Sequence, residues 1–223
     1  MMITNFLLSV LVNFVPIILA IVLHEMAHGY AARWCGDDTA KKFGRLSLNP
    51  LRHIDLFGSL VFPLILLLAK TGFVFGWAKP VPVDFGKLRR PKRDLLIVAS
   101  AGIAANLLLA LTAALLLRLS VYIPHELTHG IASLFLMNMI IFNIVLAVFN
   151  ALPIPPLDGS KILFGWSDNP KVQRFLEADR QGTLFIIAAA FVLPMLLRYA
   201  GYDFNPFGAY MIKTSKFLIS LFL

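Results

Sequence analysis

Residues 95–117 run for 23 positions without a charged side chain. A bilayer core takes about 20 apolar residues as helix, so a stretch of this kind reads as a crossing. Other apolar stretches follow: 131–149 and, somewhat shorter, 183–197, both uncharged, and Phe6–Trp34, which begins purely apolar and carries Glu25 and Arg33 toward its end. The rest of the composition agrees. Of 223 residues 59% are hydrophobic and 14% charged, where a soluble domain is about a quarter charged. Mean hydropathy is +0.80. These runs predict an all-α polytopic membrane protein, a helix bundle in one membrane-embedded domain over 1–223, with its core at about 6–163 and C-terminal helical segments at 183–223.

Between the first helix and 95–117 the pattern changes. Residues 57–75 are apolar but interrupted by Pro63 and Lys70. With basic loops on both sides, this stretch is expected to be a re-entrant or in-plane hairpin rather than a full span. The following GWAKPVPVDFGKLRRPKR has prolines that exclude a central strand and allow an edge strand or extended hairpin. Residues 207–223 hold Lys213 and Lys216, so an interfacial helix is expected there. Trp34 and Trp77 read as interfacial anchors, and Asn49, His53 and Asp55 as turn and cap residues.

The net charge of +8 reports loops rather than a nucleic-acid surface, because no basic face interleaves with aromatics. Five Lys/Arg lie in 33–52, six in 79–93 and four in 161–180, against Arg118 alone in 118–130. The positive-inside rule places the three basic regions in the cytoplasm and 118–130 outside. The opening MMITNF lacks a basic n-region, so no removable signal peptide is expected. The single cysteine, Cys35, forms no intrachain disulfide and no thiolate zinc site by itself.

The first helix ends in HEMAHGYAARW. Residues four apart share a helix face, so His24 and His28 present two imidazoles to one metal, with Glu25 beside them as a base for metal-activated water. Catalytic zinc takes three protein ligands. Asp158, in NALPIPPLDG, lies at the same cytoplasmic side, after three prolines that break the helix. A second HExxH, His125 to His129, follows Pro124 in the external loop and has no carboxylate ligand near it; it reads as a solvated turn. Asn106 reads first as a helix–helix hydrogen bond. Intramembrane ionisable residues point to function. A membrane metal transporter or metal sensor with the same His/His/Asp site is the alternative to an enzyme.

HEMAH, GRLSLNPLRHIDLFGSL, GWAKPVPV and NALPIPPLDG, in this order over about 17–163, resemble the site-2 protease family of intramembrane zinc metalloproteases, in its compact prokaryotic branch without PDZ or CBS modules. The resemblance implies hydrolysis of transmembrane segments of membrane-protein substrates, as in regulated intramembrane proteolysis, by a multi-pass protein of the cell membrane whose active site faces the cytoplasmic side. It implies one Zn²⁺ per chain on His24, His28 and Asp158, with Glu25 catalytic. Its conserved asparagine falls on Asn150, which shares with Asn106 the candidacy for oxyanion or substrate positioning. An extended substrate pairing with an edge strand in 75–85 is a further expectation. Partners are transmembrane substrates and the lipid bilayer, with no nucleic acid; the substrate's identity, any regulator and the oligomeric state are not fixed by the sequence. One departure stands out: Ile103 occupies the place where the family usually has a proline.

Overall fold

The computed structural model describes residues 2–61, 64, 68 and 76–223. It is an all-α polytopic membrane protein in which four helices are long and apolar enough to cross a bilayer. They are α1 (Phe6–Trp34), α2 (Pro91–Leu119, extended by a 3-10 turn to Tyr122), α3 (Glu126–Asn150) and a C-terminal α6 (Asp179–Tyr199). Two short helices precede α6: α4 (Asp158–Phe164) and α5 (Pro170–Leu176). The last helix is α7 (Pro206–Phe222).

Pro16 shapes the outer half of α1. It lacks an N–H, so the Val12 carbonyl one turn before it loses its helical donor. The helix widens to a π turn over Val10–Phe14. Asn138 of α3 supplies the missing donor, its Nδ2 lying 2.6 Å from Val12 O. One proline thus becomes a cross-helix hydrogen bond of the kind that fixes packing in lipid.

The core lies between α2 and α3. Ala110, Ala113 and Ala114 form a small-residue face against Met139, Ile140, Ile144 and Val148. Without a hydrophobic drive between helices in lipid, close approach and van der Waals contact carry such an interface. Met211, Leu218, Ile219 and Phe222 of α7 pack onto the same cluster. At 17 residues, α7 lies at the lower limit of the roughly 17–25 that cross a bilayer. Large apolar side chains such as Phe6, Leu108, Leu134 and Phe185 point outward, as they must where lipid is the solvent.

The basic loops gather at one end of the bundle. Cys35, just past α1, accepts from Arg89 N, just before α2, at 3.1 Å, and Lys92 of α2 pairs with Asp168 beyond α4.

The central loop departs from expectation. Leu56–Val61 forms a π turn; apart from residues 64 and 68, the remainder of the expected hairpin, with Pro63 and Lys70, lies outside the described residues. The following segment, 76–84, is coil and not a strand. Its backbone donors are spent one by one: Trp77 N on Gly58 O, Lys79 N on His53 O, Val81 N on Glu25 and Asp84 N on Asp37. Pro80 and Pro82 have none. Among the described residues, only Ala78 and Val83 between these ends keep an N–H for an incoming strand, which is too few for a ladder. Trp77 packs against Phe57, ring centroids 6.0 Å apart, and over Gly58, where a Cβ would meet its indole at 2.3 Å.

Candidate metal centre

His24 and His28 face the same way one turn apart on α1, with ring planes at 86° and Nε2 atoms 3.0 Å from each other. His28 sits about 9 Å from the helix end at Trp34, and His24 about 15 Å. The third group arrives from the other side of the bundle. After Asn150 the chain turns through Ala151–Leu157, with a cis Pro155–Pro156 bond, and α4 begins at Asp158. Its Oδ2 lies 3.3 Å from His24 Nε2 and 3.2 Å from His28 Nε2. His24, His28 and Asp158 form the group of potential metal ligands found among the described residues.

The tautomers follow from the surroundings. His28 Nδ1 is 2.7 Å from the Val98 carbonyl, which can only accept, so Nδ1 carries the proton. His24 Nδ1 is 2.6 Å from Asn106 Oδ1. The Asn106 amide is itself oriented, because its Nδ2 donates to Ala20 O at 3.2 Å and to Asn143 Oδ1 at 2.8 Å. Asn143 Nδ2 in turn donates to Met139 O. Hence His24 also donates from Nδ1, and in their neutral, metal-ligating form both histidines turn an Nε2 lone pair toward Asp158.

Two lone pairs and a carboxylate oxygen therefore crowd one buried point. Asp158 Oδ2 has no hydrogen-bond partner there. Three electron-rich atoms without a donor repel one another unless a cation lies among them. The donor set, two imidazoles and one carboxylate, is that of a catalytic zinc with its fourth position open. Ligand atoms on a tetrahedral ion at ~2.0–2.1 Å stand about 3.3 Å apart, close to the separations observed. The residues fit the metal.

Gly102 makes the arrangement possible. A Cβ there would lie 2.4 Å from His28 Nε2 and 2.7 Å from His24 Nε2. The backbone of α2 thus forms one wall of the site, and α2 continues through Ile103 as unbroken helix.

The remaining candidates divide. Glu25 is half-buried, and its Oε2 accepts from Val81 N at 2.7 Å. Asn106 belongs behind His24 rather than at an oxyanion, since both of its amide hydrogens are taken. Asn150 directs Nδ2 to Leu146 O, one turn back on its own helix. His125 caps α3, accepting from Thr128 N, and His129 approaches Ser133; this second HExxH serves the start of a helix. Asn49 caps the 3-10 turn Pro50–His53 as expected. Asn143 was not anticipated as part of the site. Its signal was one of two amides, with Asn138, in an otherwise apolar run.

The sequence profile described as Peptidase family M50 matches residues 119–195, a range that holds Asp158. Two similar proteins carry the name "Putative zinc metalloprotease". YwhC of Bacillus subtilis (strain 168) is 36% identical over 184 residues, covering 81% of this chain and 80% of its own length. Rip2 of Mycolicibacterium smegmatis is 32% identical over 204 residues, covering 88% of this chain and 74% of its own. No solved structure matches the chain.

Proposed function

Because the chain belongs to peptidase family M50, the site-2 proteases, we propose that it is an intramembrane zinc metalloendopeptidase cutting transmembrane segments of membrane proteins, as in regulated intramembrane proteolysis. The observation that carries this reading is the convergence of two oriented imidazoles and the unpartnered Asp158 carboxylate, with Glu25 next in sequence to a ligand.

His24, His28 and Asp158 would hold the ion. Zinc bound there polarises a carbonyl and acidifies water. The protein's own residues do the rest. Asn106 and the Val98 carbonyl hold the imidazoles by their far nitrogens, which keeps the ligand lone pairs aimed. Glu25 takes a proton from the attacking water and returns it to the leaving amine. The Val81 N–H fixes Oε2 while leaving Oε1 to move that proton. Gly102 keeps side chains out of the space beside the ligands.

Depth and orientation complete the reading. The site lies ~9–15 Å below the basic end of the bundle, and that end faces the cytoplasm by the positive-inside rule. Water reaches it most cheaply from there. A substrate helix shields its peptide bonds by its own hydrogen bonds, so it must unwind locally, and helix-weakening residues near the cut should favour cleavage.

Reconstitution with single-span substrates tests the reading. Wild type should cleave them, and Glu25→Gln should keep zinc and lose activity by ~10²–10⁴-fold. A metal transporter would instead still move zinc as Glu25→Gln. Transport needs polar groups along a path, whereas the bundle beyond Asn106 and Asn143 is closed by the apolar cluster around Ile140 and Ile144.

A further inference from the structure

Arg45 is a buried cation among the buried charged groups Asp37, Asp94 and Asp158, and the chemistry above does not use it. It is 8% exposed. Its Nη2 donates to Lys79 O at 2.7 Å, while its Nε is buried without a partner. Among the described residues no carboxylate pairs with it. A guanidinium is charged at every relevant pH, and a buried charge without a counter-charge is costly. The group lines a pocket of about 340 Å³ that opens on the surface, with Phe43, Lys79, Pro80 and Pro82; Phe43, Lys79 and Pro80 are themselves exposed. Two cations and three apolar walls suit a carboxylate on a short methylene stem.

The cavity is tied to the proposed base. Val81 lies between Pro80 and Pro82, and its N–H holds Glu25 Oε2. Its Cγ1 lies 3.1 Å from where a Cβ of Gly29 would stand, and Gly29 is one turn, about 6 Å, beyond Glu25 toward the basic end. An extended peptide advances ~3.3 Å per residue. Resting on the protease reading, the geometry points to Arg45, assisted by Lys79, as a subsite for an acidic side chain of the substrate two to three residues from the bond that is cut. The lining prolines Pro80 and Pro82 flank Val81, whose N–H holds Glu25 Oε2, and this adjacency to the proposed base favours a peptide over a lipid headgroup. A carboxylate also matches the planar fork of arginine.

The test uses zinc-loaded protein in neutral phosphatidylcholine vesicles. Single-span substrates carry Gln or Glu in turn at each of the four positions on either side of the cut. At one position, two to three residues from the bond, Glu should raise kcat/KM about tenfold over Gln. That ratio should fall to about one for Arg45→Gln. Arg45→Lys keeps the charge but not the fork, and its ratio should drop without vanishing; it also decides the matter if Arg45→Gln does not fold. Binding of the same peptides to zinc-loaded Glu25→Gln should show the same preference in Kd. That readout needs no turnover, so a protein that binds with this preference yet never cuts would defeat the protease reading and leave the subsite standing. Equal treatment of Glu and Gln at every position overturns the subsite, as does a preference that survives both Arg45 substitutions. An Arg45-dependent response to added phosphatidylglycerol, without any substrate preference, assigns the cavity to a lipid phosphate instead.

Discussion

Asn106 Oδ1 stands 2.6 Å from His24 Nδ1, and this contact selects the nitrogen that His24 turns toward Asp158. Three helices share the task. Asn143 of α3 orients the Asn106 amide of α2, and Asn106 orients the His24 ring of α1. Both links are buried amides; Asn106 commits both of its amide hydrogens and Asn143 donates to Met139 O, which fixes which end of each amide faces its neighbour.

Asn106→Leu should therefore weaken zinc binding by about 10–100-fold, the usual cost of losing a group that orients a ligand. Chelator competition measures it. Asn143→Leu, one link further back, should cost less. An Asn106→Leu protein with wild-type zinc affinity would show that the relay does not orient the ligand.

Gly102→Ala should empty the site while sparing the helix. Alanine favours a helix over glycine by up to about 1 kcal/mol, yet its Cβ would lie 2.4 Å from His28 Nε2. Zinc content should fall well below that of wild type while helical content by circular dichroism is unchanged. Normal zinc content would mean that the α2 wall stands further off.

Gly182 of α6 presses on the loop that delivers Asp158. A Cβ there would lie 1.7 Å from Pro155 O, a backbone atom that moves only with the loop. Gly182→Ala should destabilise the protein by about 1–3 kcal/mol, as overpacking does, and lower proteolytic activity. Leu184→Ala, at an exposed position of the same helix, should do neither. Thermal unfolding in detergent and a cleavage assay on both variants check this.

Much of this was legible in the sequence. The spans at 95–117 and 131–149 lie inside α2 and α3, because a bilayer leaves few other options for uncharged runs of that length. Their starts lie earlier, at Pro91 and Glu126, because their first turns carry polar and charged residues that a hydropathy run leaves out: Lys92, Arg93 and Asp94 in one, Glu126, Thr128 and His129 in the other. His24 and His28 followed from helical spacing, and Asp158 from the proline break before it. Other features depend on partners that spacing does not reveal. Alternating prolines in 76–84 read equally as an edge strand, and only the destinations of the N–H groups decide against it. Asn106 reads from the sequence first as a helix–helix hydrogen bond and second as an oxyanion candidate, and its traced donors favour the first. Gly102, Gly182 and Val81 matter through close approach to distant residues, which one sequence does not encode locally.

Asp37 gives a prediction in pH. It is fully buried just past α1, accepting from Thr39 N and Oγ1 and from Asp84 N, and so ties that turn to the end of the Val81 segment. Burial pushes its carboxyl up, but hydrogen bonds from Thr39 and Asp84 outweigh this and hold it below its ordinary value of 3.8. A depressed folded-state value means that the stabilisation is complete above the unfolded value of about 3.9 and is lost as pH falls through the lower folded value. Asp37→Asn should therefore cost about 1–3 kcal/mol at neutral pH, and the gap to wild type should narrow below about pH 4. A gap that stays constant from neutral pH to about pH 3 would contradict this.

The central claim is that one zinc ion is held jointly by α1 and the start of α4. The most direct measurement is zinc stoichiometry by elemental analysis of purified wild type beside His24→Ala, His28→Ala and Asp158→Ala. Wild type should hold about one zinc per chain, the number the three ligands accommodate, and each variant should lose most of it after mild chelation. Full retention of zinc by Asp158→Ala under the same treatment would contradict it.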